Sequence, residues 1–213
     1  MRPHRYAAGA RFYDILSGEK WVYRAGRVAG ATLLGLRPGD TVLDLGCGTG
    51  LNFPVLLDAI GPHGRVIGLD RSSAMLAVAG RRVATQRWDN VHLVHADATD
   101  FSSTDLGLDA QSRTTSVIDA VFSTYAMSVF TDWYSAWDCA RRVLKREGRA
   151  CIVDMQVPTG HAAILAPLAR LACAAGGSDI AAHPWTILER TGTSVSRRQL
   201  RGGHIQVVAA TVP

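Results

Sequence analysis

The chain has 213 residues, 47% of them hydrophobic, and a formal net charge of +5 at pH 7. This length and hydrophobic fraction predict one domain, spanning residues 1–213, with one substantial core. The four cysteines, at positions 47, 139, 151 and 173, form no Cys-x-x-Cys pair, which argues against a disulfide framework or a structural zinc site.

The N-terminus and the charge distribution bear on location and partners. The opening stretch MRPHRYAAGARFYD is basic but lacks the apolar run of a signal peptide, and no segment approaches about 20 uninterrupted apolar residues. A cytoplasmic protein is expected, and peripheral contact with a membrane surface stays open. Because the positive charges are spread along the chain, nucleic acid is not an expected partner.

Apolar runs with strand character alternate with helical stretches along the chain. Strands are predicted at 41–46, 65–70, 91–96, 117–123 and 149–155, and helices at 52–60, 72–86 and 132–145. A polar insert at 102–116 is predicted to be a surface loop. Two alternating stretches around Gly202-Gly203 predict a C-terminal antiparallel hairpin. The pattern therefore favours an α/β, doubly wound, mostly parallel sheet of seven strands, with helices on both faces.

The stretch VLDLGCGTGLNFP (42–54) places three glycines between the first strand and the next helix. Glycines at this point let a ligand approach the backbone, and the helix N-terminus offers unpaired amides. Asn52 is the expected helix cap. The nicotinamide fingerprint G-x-G-x-x-G would need glycine where Leu51 stands, and Asp44 suits a cation better than a pyrophosphate. A cationic ligand is therefore expected, and a nucleotide-binding oxidoreductase or a non-catalytic sensor is the less favoured alternative.

The segment VLDLGCGTG resembles the first motif of the class I S-adenosylmethionine-dependent methyltransferases, and the later segments follow the order of that family through nearly the whole chain. The resemblance implies a Rossmann-like methyltransferase fold with S-adenosylmethionine as cofactor. It also implies a role for Asp70 on the ribose hydroxyls, Met75 on the adenine ring, Asp97 on the adenine amino group, Ala98 at the ring edge and Ser123 beside the methionine portion. The expected cofactor-binding set is completed by Tyr13, Asp44, Gly46, Cys47, Gly48, Asn52 and Arg71.

The N-terminal segment FYDILSGEKWVYRAGR resembles the corresponding part of bacterial phospholipid and betaine-lipid N-methyltransferases, and more distantly the quinone C-methyltransferases. The resemblance implies a helical lid within residues 1–30, to which Tyr13, Tyr23 and Arg24 would contribute, over a core of residues 31–213. The expected acceptor is an amine or similar nucleophile on a small or amphiphilic molecule, such as a lipid headgroup. C- or O-methylation of a quinone or natural product is the alternative.

Acid–base chemistry separates these two acceptor classes. Placing a neutral amine against a methyl donor needs no dedicated base, because positioning alone can lower a barrier by about 7 to 11 kcal/mol. An oxygen or carbon nucleophile usually needs deprotonation, for which Tyr125, His183 and His161 are the candidates. Tyr125 and His183 are therefore the candidate catalytic residues.

Two further stretches invite an interpretation. His92 and His95 lie three apart on a predicted strand, so their side chains point to opposite faces and no metal site is expected. The apolar stretch at 161–177 favours an ordinary helix after the fifth strand, although it would also suit an acyl groove or contact with a membrane surface.

Overall fold

The computed structural model describes residues 23–108 and 118–213. The first four predicted strands and the first two predicted helices begin and end within one residue of the expected positions. The strands are β1 Thr41–Leu45, β2 Arg65–Asp70, β3 Val91–His95, β4 Ile118–Thr124, β5 Leu144–Met155, β6 Thr193–Leu200 and β7 Ile205–Val212. The helices are α1 Arg24–Leu34, α2 Phe53–Ile60, α3 Ser73–Gln86, α4 Trp133–Val143, α5 Ala166–Gly176 and α6 Thr186–Thr191, with short 3-10 segments at Met127–Val129 and Gly160–Leu165.

The seven strands form one sheet in the order β3-β2-β1-β4-β5-β7-β6. The five strands from β3 to β5 pair in parallel, and β7 pairs antiparallel with both β5 and β6. The β6–β7 turn contains Gly202 and Gly203, both with positive φ. The mostly parallel sheet and the terminal hairpin expected from the sequence are confirmed.

Both faces of the central part of the sheet are covered, which explains why β1, β2, β4 and β7 are apolar runs rather than alternating ones. On one face, Val42 and Val66 pack with α1, α2 and α3 through residues such as Leu34 and Phe53. On the other face, Leu43 packs with α4 and α6 in a cluster that includes two buried tryptophans, Trp137 and Trp185.

The boundary between α4 and β5 differs from the expected one. The helical pattern predicted a helix to residue 145, stopped by Glu147-Gly148, but α4 ends at Val143 and Leu144 already pairs with Ile118 of β4. The buried Leu144 side chain belongs to the core under the sheet, and tertiary packing outweighs helix propensity there. The register irregularity that follows has Glu147 at φ 57°.

Candidate functional site

The strand order reverses between β1 and β4, and the chain forms a cavity of about 450 Å³ at the carboxyl ends of the strands there. Such a switch point is where open α/β sheets bind ligands, because the loops on either side diverge. The wall combines residues that follow the first four strands with one from α1. They are Arg27, Gly46–Thr49, Leu51, Leu69–Ser72, Met75, Asp97–Thr99, Thr124–Ala126 and Val129–Asp132.

The glycine-rich loop after β1 forms the floor of the cavity. Gly46 has a φ of 75°, and a Cβ added there would lie 2.5 Å from the Cβ of Ala126. Gly48 has a φ of 55°, and a Cβ there would meet nothing within 4 Å. Glycine at position 46 is therefore required by the fold, whereas the backbone at Gly48 faces open space that a ligand can occupy.

The carboxylate of Asp70 lies at the end of β2 and fixes the loop. Its two oxygens accept hydrogen bonds of 2.8 Å from the amides of Gly48 and Ser72. Burial raises the pKa of Asp70, and these two amide hydrogen bonds oppose that rise. A carboxylate has about four acceptor positions, so Asp70 keeps the capacity to accept from a ligand hydroxyl while it holds the loop.

A second carboxylate, Asp97, follows β3. Its Oδ1 accepts from the amide and the hydroxyl of Thr99, at 2.9 and 2.8 Å. The hydrogen bond from the Thr99 amide is the main cause that lowers the pKa of Asp97. The buried side chains of Met75 and Ala98 line the same cavity as Asp70 and Asp97, so the wall combines two acceptors with an apolar surface suited to a flat ring.

A buried polar network lies beneath the loop. Asn52 donates 2.7 Å to Oδ1 of Asp44, and its own Oδ1 accepts from Thr124 at 3.0 Å and from Arg27 at 2.9 Å. Oδ2 of Asp44 is fully buried and has no hydrogen-bond partner among the described residues. Burial raises the pKa of Asp44 to about 7, against the Asn52 hydrogen bond and the Arg27 charge. An unsatisfied buried acceptor beside the loop provides a favourable environment for a cation.

The helix α1 contacts the site through Tyr125. The Tyr125 hydroxyl donates 2.9 Å to the backbone oxygen of Tyr23, and the two rings pack with centroids 4.8 Å apart. A Cβ on Gly26 would lie 2.0 Å from that hydroxyl oxygen. The Arg27 guanidinium lies 5.1 Å from the centroid of the Tyr125 ring, within cation–π distance. Tyr125 therefore lines the cavity with its ring and holds α1 with its hydroxyl.

The structure gathers most of the predicted site residues on one wall. Eight of the expected cofactor-binding residues line the cavity: Gly46, Cys47, Gly48, Asp70, Arg71, Met75, Asp97 and Ala98. The candidate catalytic residue Tyr125 lines it as well. Burial raises the pKa of the Cys47 thiol far above its ordinary value, as expected for a packing residue. Tyr13, and the lid before Tyr23, lie outside the described residues. Of the other two lid residues, Tyr23 packs on Tyr125, and Arg24 is exposed and does not line the cavity.

Four expected residues stand apart from the wall. Asp44 and Asn52 lie beneath the loop. Asn52 directly precedes α2, but its side chain makes no capping hydrogen bond and bonds to Asp44 instead. Ser123 is buried and donates to the Leu45 carbonyl. His183 packs on Trp185 and does not line the cavity.

Sequence reasoning missed Thr124 and Arg27. Successive strand residues point to opposite faces, so Thr124 reaches the cavity wall while Ser123 bridges β4 to β1. Arg27 lies before the glycine motif, on the same helix face as Tyr23 four residues earlier. That helical spacing is the one signal that would have pointed to it.

Two further observations concern metals and membranes. Both His92 and His95 lie on β3, and His95 Nε2 is 3.0 Å from the Arg71 carbonyl. Within residues 23–108 and 118–213, no group of three or more side chains is placed to hold a metal ion.

Across the same ranges no helix has the length and hydrophobicity needed to cross a bilayer.

Comparison with known proteins identifies the family. A family model described as a methyltransferase domain matches residues 36–183, well over half of the chain. The chain belongs to this methyltransferase domain family. The methyltransferase family and the Rossmann-like fold expected from the sequence are confirmed.

Individual relatives agree with this assignment. The chain is 32% identical over 126 residues to demethylmenaquinone methyltransferase of Staphylococcus aureus, an alignment that covers 59% of this chain and 47% of the relative. The chain spans less than half the length of the first curated relatives it matches.

Solved structures share the fold at low sequence identity. A SAM-dependent methyltransferase from Aquifex aeolicus superposes with a TM-score of 0.69 at 20% identity, covering 97% of this chain and 98% of that one. A phosphoethanolamine N-methyltransferase from Haemonchus contortus, solved with S-adenosylhomocysteine, gives 0.72 at 16% identity, covering 97% and 57%. The first of these is described as SAM-dependent, the second contains S-adenosylhomocysteine, and at this level of identity both comparisons show a shared fold.

Proposed function

We propose that this methyltransferase transfers the methyl group of S-adenosylmethionine to an amine, or a similar neutral nucleophile, of a small or amphiphilic molecule such as a phospholipid or betaine-lipid headgroup. The observation that carries the choice of an amine is the placement of the three candidate bases. His161 is exposed and does not line the cavity, His183 packs on Trp185, and the Tyr125 hydroxyl already donates to Tyr23.

The residues present fit the proposed methyl donor. The open space over Gly48 suits the amino-acid portion of the donor, and the Asp44 carboxylate beneath the loop favours a positive charge there through space. Asp70 retains acceptor capacity for ribose hydroxyls, and Asp97 retains it for an exocyclic amine. Met75 and Ala98 line the same cavity. S-adenosylmethionine supplies a methyl group on a positively charged sulfur.

This chain's own residues then act by position rather than by proton transfer. Phe130, Val129 and the Tyr125 ring form an apolar and aromatic wall at the β4 end of the cavity. An aromatic face stabilises a nearby cation by about 0.5 to 2 kcal/mol, which favours a reaction whose product carries a new ammonium charge. The Tyr125–Tyr23 hydrogen bond fixes that ring in place.

The test is an acceptor comparison with labelled S-adenosylmethionine. Purified protein receives phosphatidylethanolamine in mixed micelles, a small primary amine, and demethylated quinones, and products are identified by mass spectrometry for added methyl groups. Methylated amines with little quinone product are the expected result. Methylation of the quinones alone would favour the second candidate, which the Staphylococcus aureus relative supports.

A further inference from the structure

The segment that follows β5 carries an unusual concentration of exposed apolar side chains. Ile164 is 84% exposed, and Leu165, Leu168 and Leu171 are 54%, 65% and 68% exposed. Within the described ranges, these are four of the seven large hydrophobic residues that are exposed. Scattered single residues of this kind are normal, but a contiguous cluster marks an interaction surface.

The geometry of α5 explains why these residues point outward. Ala169 and Cys173, four residues apart, are buried against the protein, and the Cys173 sulfur lies 3.8 Å from that of Met155. Leu168 and Leu171, three residues apart, share the other side of the helix. The expected ordinary helix is present from Ala166 to Gly176, but only the side that carries Ala169 and Cys173 is buried.

The charges along the two segments at this face are mostly positive, with the acidic residues Asp179 and Glu189 at their ends and Glu189 paired with Arg197. Residues 155–178 contain no aspartate or glutamate, and neither do residues 190–213, which carry four arginines. The two segments adjoin, because Thr159 donates its amide to the Gly202 carbonyl at 2.9 Å. Arg170 on α5 and Arg198 on β6 are both exposed. An apolar cluster beside exposed arginines is complementary to anionic lipid headgroups over an acyl layer.

The same segment is connected to the wall of the cavity. The Asp179 amide donates 2.8 Å to the Ser128 carbonyl, and Val129 and Phe130, which follow Ser128, line the cavity. A surface bound at α5 would therefore lie next to the cavity rather than across the molecule from it.

We propose that the outer face of Gly160–Gly176 is a docking surface for an anionic lipid bilayer, with Ile164, Leu165, Leu168 and Leu171 entering the headgroup region and arginine side chains on lipid phosphates. This attachment does not depend on the proposed acceptor. Binding to vesicles needs no methyl donor, so its failure and the failure of amine methylation are separate results.

The experiment measures co-sedimentation of the full chain with vesicles of phosphatidylcholine, with and without phosphatidylglycerol. Wild type is expected to bind the anionic vesicles and to release as salt is added. The double variant Leu168→Ser/Leu171→Ser is expected to partition about tenfold less or weaker still, since two apolar anchors are lost. Arg170→Gln is expected to weaken binding by a few-fold.

The matched control is Tyr134→Ser, which removes another exposed apolar side chain, 54% exposed, from α4. It should bind vesicles like wild type, and all variants should unfold at the wild-type temperature and bind S-adenosylhomocysteine. The proposal is overturned if wild type does not co-sediment with anionic vesicles, or if the double variant binds them as well as wild type does. It is also overturned if ultracentrifugation shows that the double substitution only splits a dimer, because a second copy would then cover this face.

Discussion

Replacing Asp44 by asparagine should stabilise the ligand-free protein at pH 8 while weakening donor binding. Asp44 is fully buried, and its pKa is raised from 3.8 to about 7 mainly by desolvation. A buried acid whose folded pKa is raised is disfavoured in its charged form, so the folded state loses stability as pH climbs from about 4 to about 7. Asparagine keeps an acceptor for Asn52 and carries no charge.

The size of the effect follows from the two pKa values. At about 1.36 kcal/mol per pKa unit, the interval from 3.8 to about 7 corresponds to about 4 kcal/mol as an upper bound at pH 8. A gain of roughly 2 to 4 kcal/mol is therefore expected for Asp44→Asn at pH 8, because the new amide also needs partners. Near pH 4 the carboxyl is neutral in the folded protein, and the gain should nearly vanish.

The measurement is the free energy of unfolding in urea for wild type and Asp44→Asn. It is made at pH 8 and at the lowest pH where both proteins stay folded, so that each protein serves as its own control. Calorimetry with S-adenosylhomocysteine should show wild-type affinity falling below pH 7, as Asp44 loses its charge, and a flatter profile in the variant. A variant that is less stable than wild type by the same amount at both pH values would refute the reasoning, since Asp44 would then be a well-satisfied carboxylate.

Two further substitutions test the roles of the wall. Tyr125→Phe should keep kcat within about threefold and leave the pH–rate profile unchanged, since its hydroxyl holds Tyr23 rather than a substrate proton; a kcat loss of about a hundredfold would show that the hydroxyl is a base. Gly46→Ala should destabilise the fold by more than about 1 kcal/mol and abolish donor binding, because the new Cβ would meet Ala126 at a φ of 75°. Gly107→Ala, at a φ of 65° with nothing within 4 Å, carries backbone strain alone and should bind the donor normally in a thermal-shift titration.

Most of the fold could be predicted because its signals are local. Buried parallel strands appear as apolar runs, and the loops between them carry glycine, proline and serine at their ends. The hairpin was visible from two alternating stretches around Gly202-Gly203. The end of α4 could not be predicted, because Leu144 fits a helical pattern and a buried strand equally well. Its pairing with Ile118 makes it part of β5.

The sequence predicted the site residues that belong to a local motif. It predicted less well the residues that reach the cavity only through three-dimensional packing. Asp70, Met75 and Asp97 follow strand ends at recognisable spacing, and all three reach the cavity. Ser123 was expected at the cavity and Thr124 was not considered, because the sequence does not fix where the strand meets the cavity. Arg27 reaches the cavity on a helix whose contact with the sheet is a tertiary event.

The most direct test of the central claim is the affinity of S-adenosylhomocysteine for wild type and for Asp70→Ala, measured by calorimetry. If the cavity binds the donor through the β2 carboxylate, Kd should rise by about tenfold or more, since a buried charged hydrogen bond contributes about 1.5 to 3 kcal/mol. An unchanged Kd in a variant that unfolds at the wild-type temperature would contradict the assignment of this cavity to the methyl donor.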